Sequence, residues 1–174
     1  MKLTLTALFI VLHFAPPTAT TAAVINPIEP INKPIATTKR GAFILSIKKP
    51  ILSKFFNSHY EGAEYLQKYY DIPMAISLGQ WFIESGFGTS SIAINKMNFG
   101  GIKRNHSYVC YDSKSQFYLD YAAILSTCCY QNIDRSNLDD WTTALQWSNC
   151  KYAESNKYKS DLNKIIRKYK LDKL

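Results

Sequence analysis

Residues 72–103 read IPMAISLGQWFIESGFGTSSIAINKMNFGGIK, and their single acid, Glu84, falls where an apolar run gives way to Gly-x-Gly. Pro73 suits the first turn of a helix that runs to Glu84 or Ser85 and stops at Gly86. A helix C-terminus carries partial negative charge and disfavours an ionised acid. The rings of Trp81, Phe82 and Phe87 flank Glu84 in the sequence, and water removed by such neighbours acts in the same direction. Both effects raise a carboxyl pKa and keep a proton available near neutral pH, as a general acid requires. Gly86 and Gly88 allow a sharp turn and leave room for a ligand, while Ser85 either orients the carboxyl group or caps the helix. An ordinary surface acid at a helix end is the competing interpretation.

Working outward, Ser90 or Ser91 caps a short helix through Met97, and NFGGIK breaks it. On the N-terminal side, Phe56, Tyr60, Ala63 and Leu66 or Gln67 give residues 53–70 a helical period, ended by the DIP of residues 71–73. Beyond Gly101, β-prone Tyr108, Val109 and Tyr111 among turn formers predict a small hairpin. Helical patterns follow over 116–132, 139–148 and 158–169, the last with an apolar stripe of Leu162, Ile165, Ile166 and Tyr169. The pattern predicts a mainly α domain with one small β-hairpin.

The chain begins MKLTLTALFIVLHFAPPTATTAAV. One lysine, an apolar run and small residues at 21–23 have the layout of a secretory signal peptide over residues 1–23, with a retained anchor as the alternative. The run is too short to span a bilayer comfortably, so no stable membrane span is expected after cleavage. Prolines 27, 30 and 34 make residues 24–50 a linker or arm, with AFILSI (42–47) a short strand or docking segment. The domain proper is assigned to 51–174. A leader of this kind fits a secreted or periplasmic protein, where disulfides persist. Adjacent cysteines rarely bond each other, so Cys110 and Cys150 are each expected to reach one of Cys128 and Cys129. The histidines lie far apart and no CxxC occurs, so neither a metal site nor a cofactor is expected. A net charge of +8 favours polyanionic partners. With a leader, scattered charge and no recognisable module, nucleic acid is not the expected one. Lys164, Arg167, Lys168, Lys170 and Lys173 form a C-terminal basic cluster, or simply a solvated helix face.

The quoted stretch closely resembles the glucosaminidases of glycoside hydrolase family 73, whose members typically read IPPSVTLAQAALESGWGKS…NLFGIK. The likeness continues through YDSKSQFYLDYAAIL (111–125), similar to the family's YDSYEESIRDYARFL. It resumes at KYAESNKYKSDLNKIIRKYKL (151–171), similar to GYATDPNYAEKLLKIIEKYNL. The resemblance implies a lysozyme-like fold with a small hairpin lobe beside the active-site cleft. It also implies cleavage of the β-1,4 bond between N-acetylglucosamine and N-acetylmuramic acid in peptidoglycan glycan strands. Carried over by position, Glu84 falls on the catalytic acid and Tyr152 on the tyrosine of GYAT, a catalytic candidate near it. Gln80 falls on a cleft-facing helix residue, and Phe99, Gly101, Ile102 and Lys103 fall on the substrate-binding LFGIK segment, with the register before Gly101 open. Tyr158 and Tyr121 match aromatic positions assigned to packing.

Glycosidases commonly use two carboxylates. The family's second is proposed to lie in the hairpin region, yet residues 101–117 contain only one acid, Asp112. Asp112 is therefore the candidate base, although the Asp of a YDS segment also initiates turns. Asp120 is assigned to a helix surface, and Glu154, beside Tyr152, is a further candidate. Without a base, the acetamido group of the substrate takes the role of nucleophile. Two other functions compete: a lytic transglycosylase on the same polymer, and a weakly catalytic wall-binding or assembly protein. The arm over 24–50 would give the domain reach, and a secretion or envelope-spanning apparatus is a further candidate partner.

Overall fold

The structure, a computed structural model, describes residues 38–148 and 152–174. The leader at 1–23 and the first part of the arm lie outside them. The described elements are α1 (Lys39–Ser46), α2 (Pro50–Tyr70), α3 (Met74–Glu84), α4 (Ser91–Lys96), β1 (Lys103–Arg104), β2 (Ser107–Tyr108), α5 (Lys114–Leu125), α6 (Leu138–Trp147) and α7 (Tyr158–Tyr169). Single 3-10 turns follow α5 and α7, at Cys128–Tyr130 and Leu171–Lys173. The fold is mainly α with one two-stranded antiparallel sheet, as the sequence predicts. No helix among the described residues is long and apolar enough to cross a membrane.

The arrangement is organised by α3. Every residue from Met74 to Trp81 is buried, the signature of a helix surrounded by protein on all sides. It packs against α2, α6 and α7. Gln67 of α2 starts it, its Oε1 accepting the Met74 N–H at 2.9 Å. Asp71, in the left-handed region at φ 52°, closes α2 just before. The predicted stripe of α2 is the one observed: Phe56, Tyr60, Ala63 and Leu66 are buried. Ser90 caps α4, its Oγ accepting from the Ala93 N–H.

Residues 42–47 are not a strand. Lys39–Ser46 form helix α1, capped by Thr38, whose side chain accepts the Gly41 N–H at 3.0 Å. Phe43 enters the core edge-on to Phe56, with ring centroids 5.4 Å apart, and Arg40 reaches Asn57 and Glu61 of α2. Helix α1 therefore lies inside the segment assigned to an arm. One apolar anchor and a β-branched composition hid a two-turn helix, which is held by tertiary contacts more than by propensity.

The expected disulfide through Cys110 is overturned: Cys110 is exposed and its thiol is free. Cys129 is disulfide-bonded, and the side chains of Cys128 and Cys150 lie outside the described residues.

Candidate active site

Glu84 is the last residue of α3, so the most enclosed helix delivers its only acid to the edge of the core. Two groups meet its carboxyl. The first is Gly101, whose φ is +65° and at which a Cβ would lie 3.0 Å from Glu84 Oε2. Glycine supplies both the left-handed backbone and the space for the carboxylate. The second is the hydroxyl of Tyr158, the first residue of α7, which is near enough to the carboxyl group to favour its ionised form.

That hydroxyl belongs to a directed chain. Tyr121 donates to Gln80 Oε1 at 2.5 Å, and Gln80 Nε2 donates to the Tyr158 oxygen at 2.9 Å. With an N–H already on its oxygen, Tyr158 has its own proton free for Glu84. Gln80 and Glu84 are four residues apart and share one face of α3. Burial pushes the Glu84 carboxyl above its ordinary value of 4.5, and the nearby Tyr158 hydroxyl pulls less strongly the other way. A carboxyl group with a raised pKa is suited to donating a proton near neutrality.

The loop carrying Gly101 is fixed by Asn98, which is buried. Its Nδ2 donates to the carbonyls of Ile102 and Val109, and its Oδ1 accepts the Ile102 N–H at 2.9 Å. This clamp settles the register that NFGG left open: Gly101 faces Glu84, and Gly100 faces Tyr152. The Tyr152 hydroxyl donates to the Gly100 carbonyl at 2.5 Å, and its ring lies 6.2 Å from that of Tyr121. The Tyr152 hydroxyl is also close enough to Glu84 to feel its charge. The hairpin beyond is short, pairing Lys103 with Tyr108 and Arg104 with Ser107. Asn105 and His106, both at positive φ, form a turn of the kind that suits the twist of a two-residue hairpin. Asp120 of α5 ties it down, accepting from Arg104 at 2.5 Å and from the Tyr111 hydroxyl at 2.6 Å.

The predicted site residues divide into two groups. Glu84, Gly101, Tyr152 and Lys103 lie at or near the rim; Lys103 is exposed, with its ammonium 4.7 Å above the Tyr108 ring. Gln80, Phe99 and Ile102 are buried behind that rim. Phe99 packs on His59 and Phe117. The neighbours of Glu84 in sequence are not its neighbours in space. Trp81 stacks on Tyr118 inside the core, while Phe82 and Phe87 pack with each other and Phe82 packs on Tyr169. Residues two apart on a helix point to nearly opposite sides, and this turns Phe82 away from Glu84. Ser85 caps: its Oγ donates to the Trp81 carbonyl and accepts the Gly88 N–H.

Asp112 is exposed in the turn before α5, its own N–H held by Gln116 Oε1 at 2.8 Å. Glu154 is exposed too. No carboxylate is among the groups that perturb Glu84. Among the described residues no cluster of three or more His, Cys, Asp or Glu side chains could hold a metal ion. Sequence reasoning missed the polar work of Tyr158, Tyr121, Asn98 and Asp120. The first two were read as packing because hydroxyl partners far away in the chain leave no local signal.

Residues 60–171 match the glucosaminidase family, described as mannosyl-glycoprotein endo-beta-N-acetylglucosaminidase. Among solved structures, the catalytic domain of the autolysin Auto from Listeria monocytogenes is similar at a TM-score of 0.60 and 23% identity, over 73% of this chain and 89% of that one. No curated protein sequence matches the chain. The family match spans both the helix that carries Glu84 and the α7 tyrosine beside it, and the chain therefore belongs to the glucosaminidase family of glycoside hydrolases.

Proposed function

We propose that the chain hydrolyses peptidoglycan at the β-1,4 bond between N-acetylglucosamine and N-acetylmuramic acid, with Glu84 as general acid. The observation that carries this reading is the placement of Glu84: a desolvated carboxyl at the rim of the core, held between Gly101 and Tyr158. The choice of polymer is supported by the family and by the autolysin named among the structural relatives. A net charge of +8 suits a carboxylate-rich wall. A site outside the cytoplasm, in the cell envelope or beyond it, follows from that substrate.

Glu84 gives its proton to the glycosidic oxygen as the bond to C1 of N-acetylglucosamine breaks. Asp112 and Glu154, the two other acids that could serve, are both exposed. The nucleophile that fits is therefore the carbonyl oxygen of the substrate's own acetamido group, which closes on C1. The Tyr152 proton is committed to the Gly100 carbonyl, so its oxygen is left to accept the acetamido N–H and steer that carbonyl toward C1. Water, deprotonated by the Glu84 carboxylate, then opens the ring and leaves a reducing end with retained configuration. Digestion in oxygen-18 water with mass spectrometry tests this. One heavy oxygen at a reducing N-acetylglucosamine end is expected. Anhydro-muramyl ends without the label would make the chain a lytic transglycosylase instead. Binding without fragments would make it a wall-binding protein.

A further inference from the structure

The C-terminal basic cluster does not form a uniform solvated face. Lys168 and Lys170, at the end of α7, meet Lys48 and Lys49, at the junction of α1 and α2, around one open hollow of about 320 Å³. Ile47, Leu52 and Tyr169 also line it, and no Asp or Glu does. Among the described residues five basic groups outside the hollow are paired, Arg40 with Glu61, Arg104 with Asp120, Lys159 with Asp139, Lys164 with Asp161 and Lys173 with Asp172, and others, such as Lys54, Lys68, Lys96 and Lys157, stand singly on the surface. Among the described residues the four lysines of the hollow have no ion-pair partner, and Lys168 sits 5.4 Å from the Tyr169 ring centroid. Like charges brought together from opposite ends of the domain's sequence repel one another unless an anion lies between them.

The hollow is one helix away from Glu84. Helix α7 runs from Tyr158, on the Glu84 carboxyl, to Tyr169, on the hollow. At a rise of about 1.5 Å per residue the two ends lie roughly 16 Å apart. Tyr169 also packs on Phe82 of α3, ring centroids 5.3 Å apart. The peptide stems that branch from a glycan strand carry carboxylates, opposite in charge to the lining of the hollow. We propose that the hollow binds the carboxylates of the peptide stems of peptidoglycan, so that the enzyme recognises the peptides as well as the sugars. This rests on the function proposed above. The convergence of charge on a small concave site, in place of a stripe along the surface, fits a few carboxylates on short branches better than a long phosphate polymer.

The test is sedimentation of the full chain, carrying Glu84→Gln to prevent digestion, with two walls: peptidoglycan freed of phosphate polymers, and the same glycan stripped of its peptides by an amidase. The chain is expected to bind the intact wall at least tenfold more tightly at low salt. Changing Lys48, Lys49, Lys168 and Lys170 together to Gln should abolish that preference. Changing Lys54, Lys68, Lys96 and Lys157 to Gln, an equal loss of charge, should leave it in place. Equal binding to both walls, or equal loss in the two lysine variants, would overturn the proposal. A preference restored only when phosphate polymers are left on the wall would assign the hollow to those polymers and overturn it as well. Failure to bind either wall would sink the peptidoglycan reading too, whereas hydrolysis without peptide preference would sink this one alone.

Discussion

Gly101→Ala puts the smallest side chain against the proposed acid. Its Cβ would lie 3.0 Å from Glu84 Oε2 at a residue whose φ is +65°. The left-handed backbone costs a non-glycine residue about 1–2 kcal/mol, a fall of a few degrees in melting temperature for a domain of this size. The contact adds a second effect. A carbon–oxygen separation of that size is several tenths of an ångström too short, and Asn98 holds the loop on one side through three hydrogen bonds. The carboxylate is the part free to move, and moving it shifts it relative to the Tyr158 hydroxyl. Misplacement by about 1 Å costs on the order of a hundredfold in rate, so a few tenths should cost roughly tenfold in kcat with little change in KM. The assay is wall clearance at a temperature well below the melting point, with thermal unfolding measured in parallel. A variant that melts lower but turns over at the wild-type rate would refute the argument that Gly101 sets the position of Glu84.

Three further outcomes follow from the groups around this site and the core behind it. Tyr158→Phe removes the hydroxyl that favours ionised Glu84, so the alkaline limb of the kcat–pH profile should move to higher pH; an unmoved limb would mean that Tyr158 only packs. Because burial raises the Glu84 pKa in the fold, the native state holds that proton above pH 4.5 while the unfolded chain releases it, and stability falls as pH rises through this window. Glu84→Gln should therefore melt higher than the wild type at pH 7 and equally at pH 4; equal melting at both would contradict the desolvated carboxyl. His59, buried with Nδ1 2.9 Å from the Tyr118 hydroxyl, has its pKa lowered to about 3, chiefly by burial. Its unfolded form takes up a proton below about 6.5 and its native form does not, so acid weakens the fold by roughly 1.4 kcal/mol per pH unit there. Denaturant titrations between pH 6.5 and 4.5 in a Glu84→Gln background, which lacks the opposing titration of Glu84, should show that slope and lose it on adding His59→Gln.

The parts of this molecule legible in the sequence are those governed by local rules. Pro73 and the glycines bracket α3, Ser90 announces α4, and the apolar stripe of α7 marks its buried face. Glu84 was readable for a sound reason with the wrong partners. Its pKa is raised by burial as expected, but the rings beside it in sequence point elsewhere, and the groups that hold it come from Gly101 and from Tyr158, on a different helix. The chain Tyr121–Gln80–Tyr158 joins three helices and exists only once they pack, so no spacing rule reveals it. Gln80 looked like a cleft residue because the resemblance gives its position along α3 and not its depth. Helix α1 was hidden because its stability comes from Phe43 and Arg40 meeting α2. The basic hollow was half visible: the C-terminal lysines stood out, but Lys48 and Lys49 join them only through the docking of α1.

The most direct test of the account is to digest purified peptidoglycan with the wild type and with Glu84→Gln, counting new reducing N-acetylglucosamine ends by mass spectrometry and verifying the fold of both by thermal unfolding. The account predicts reducing ends from the wild type and a loss of at least a hundredfold in the folded variant, consistent with the size of general acid catalysis. A folded Glu84→Gln that still releases those ends at near the wild-type rate would contradict it, because the proton would then have to come from another group.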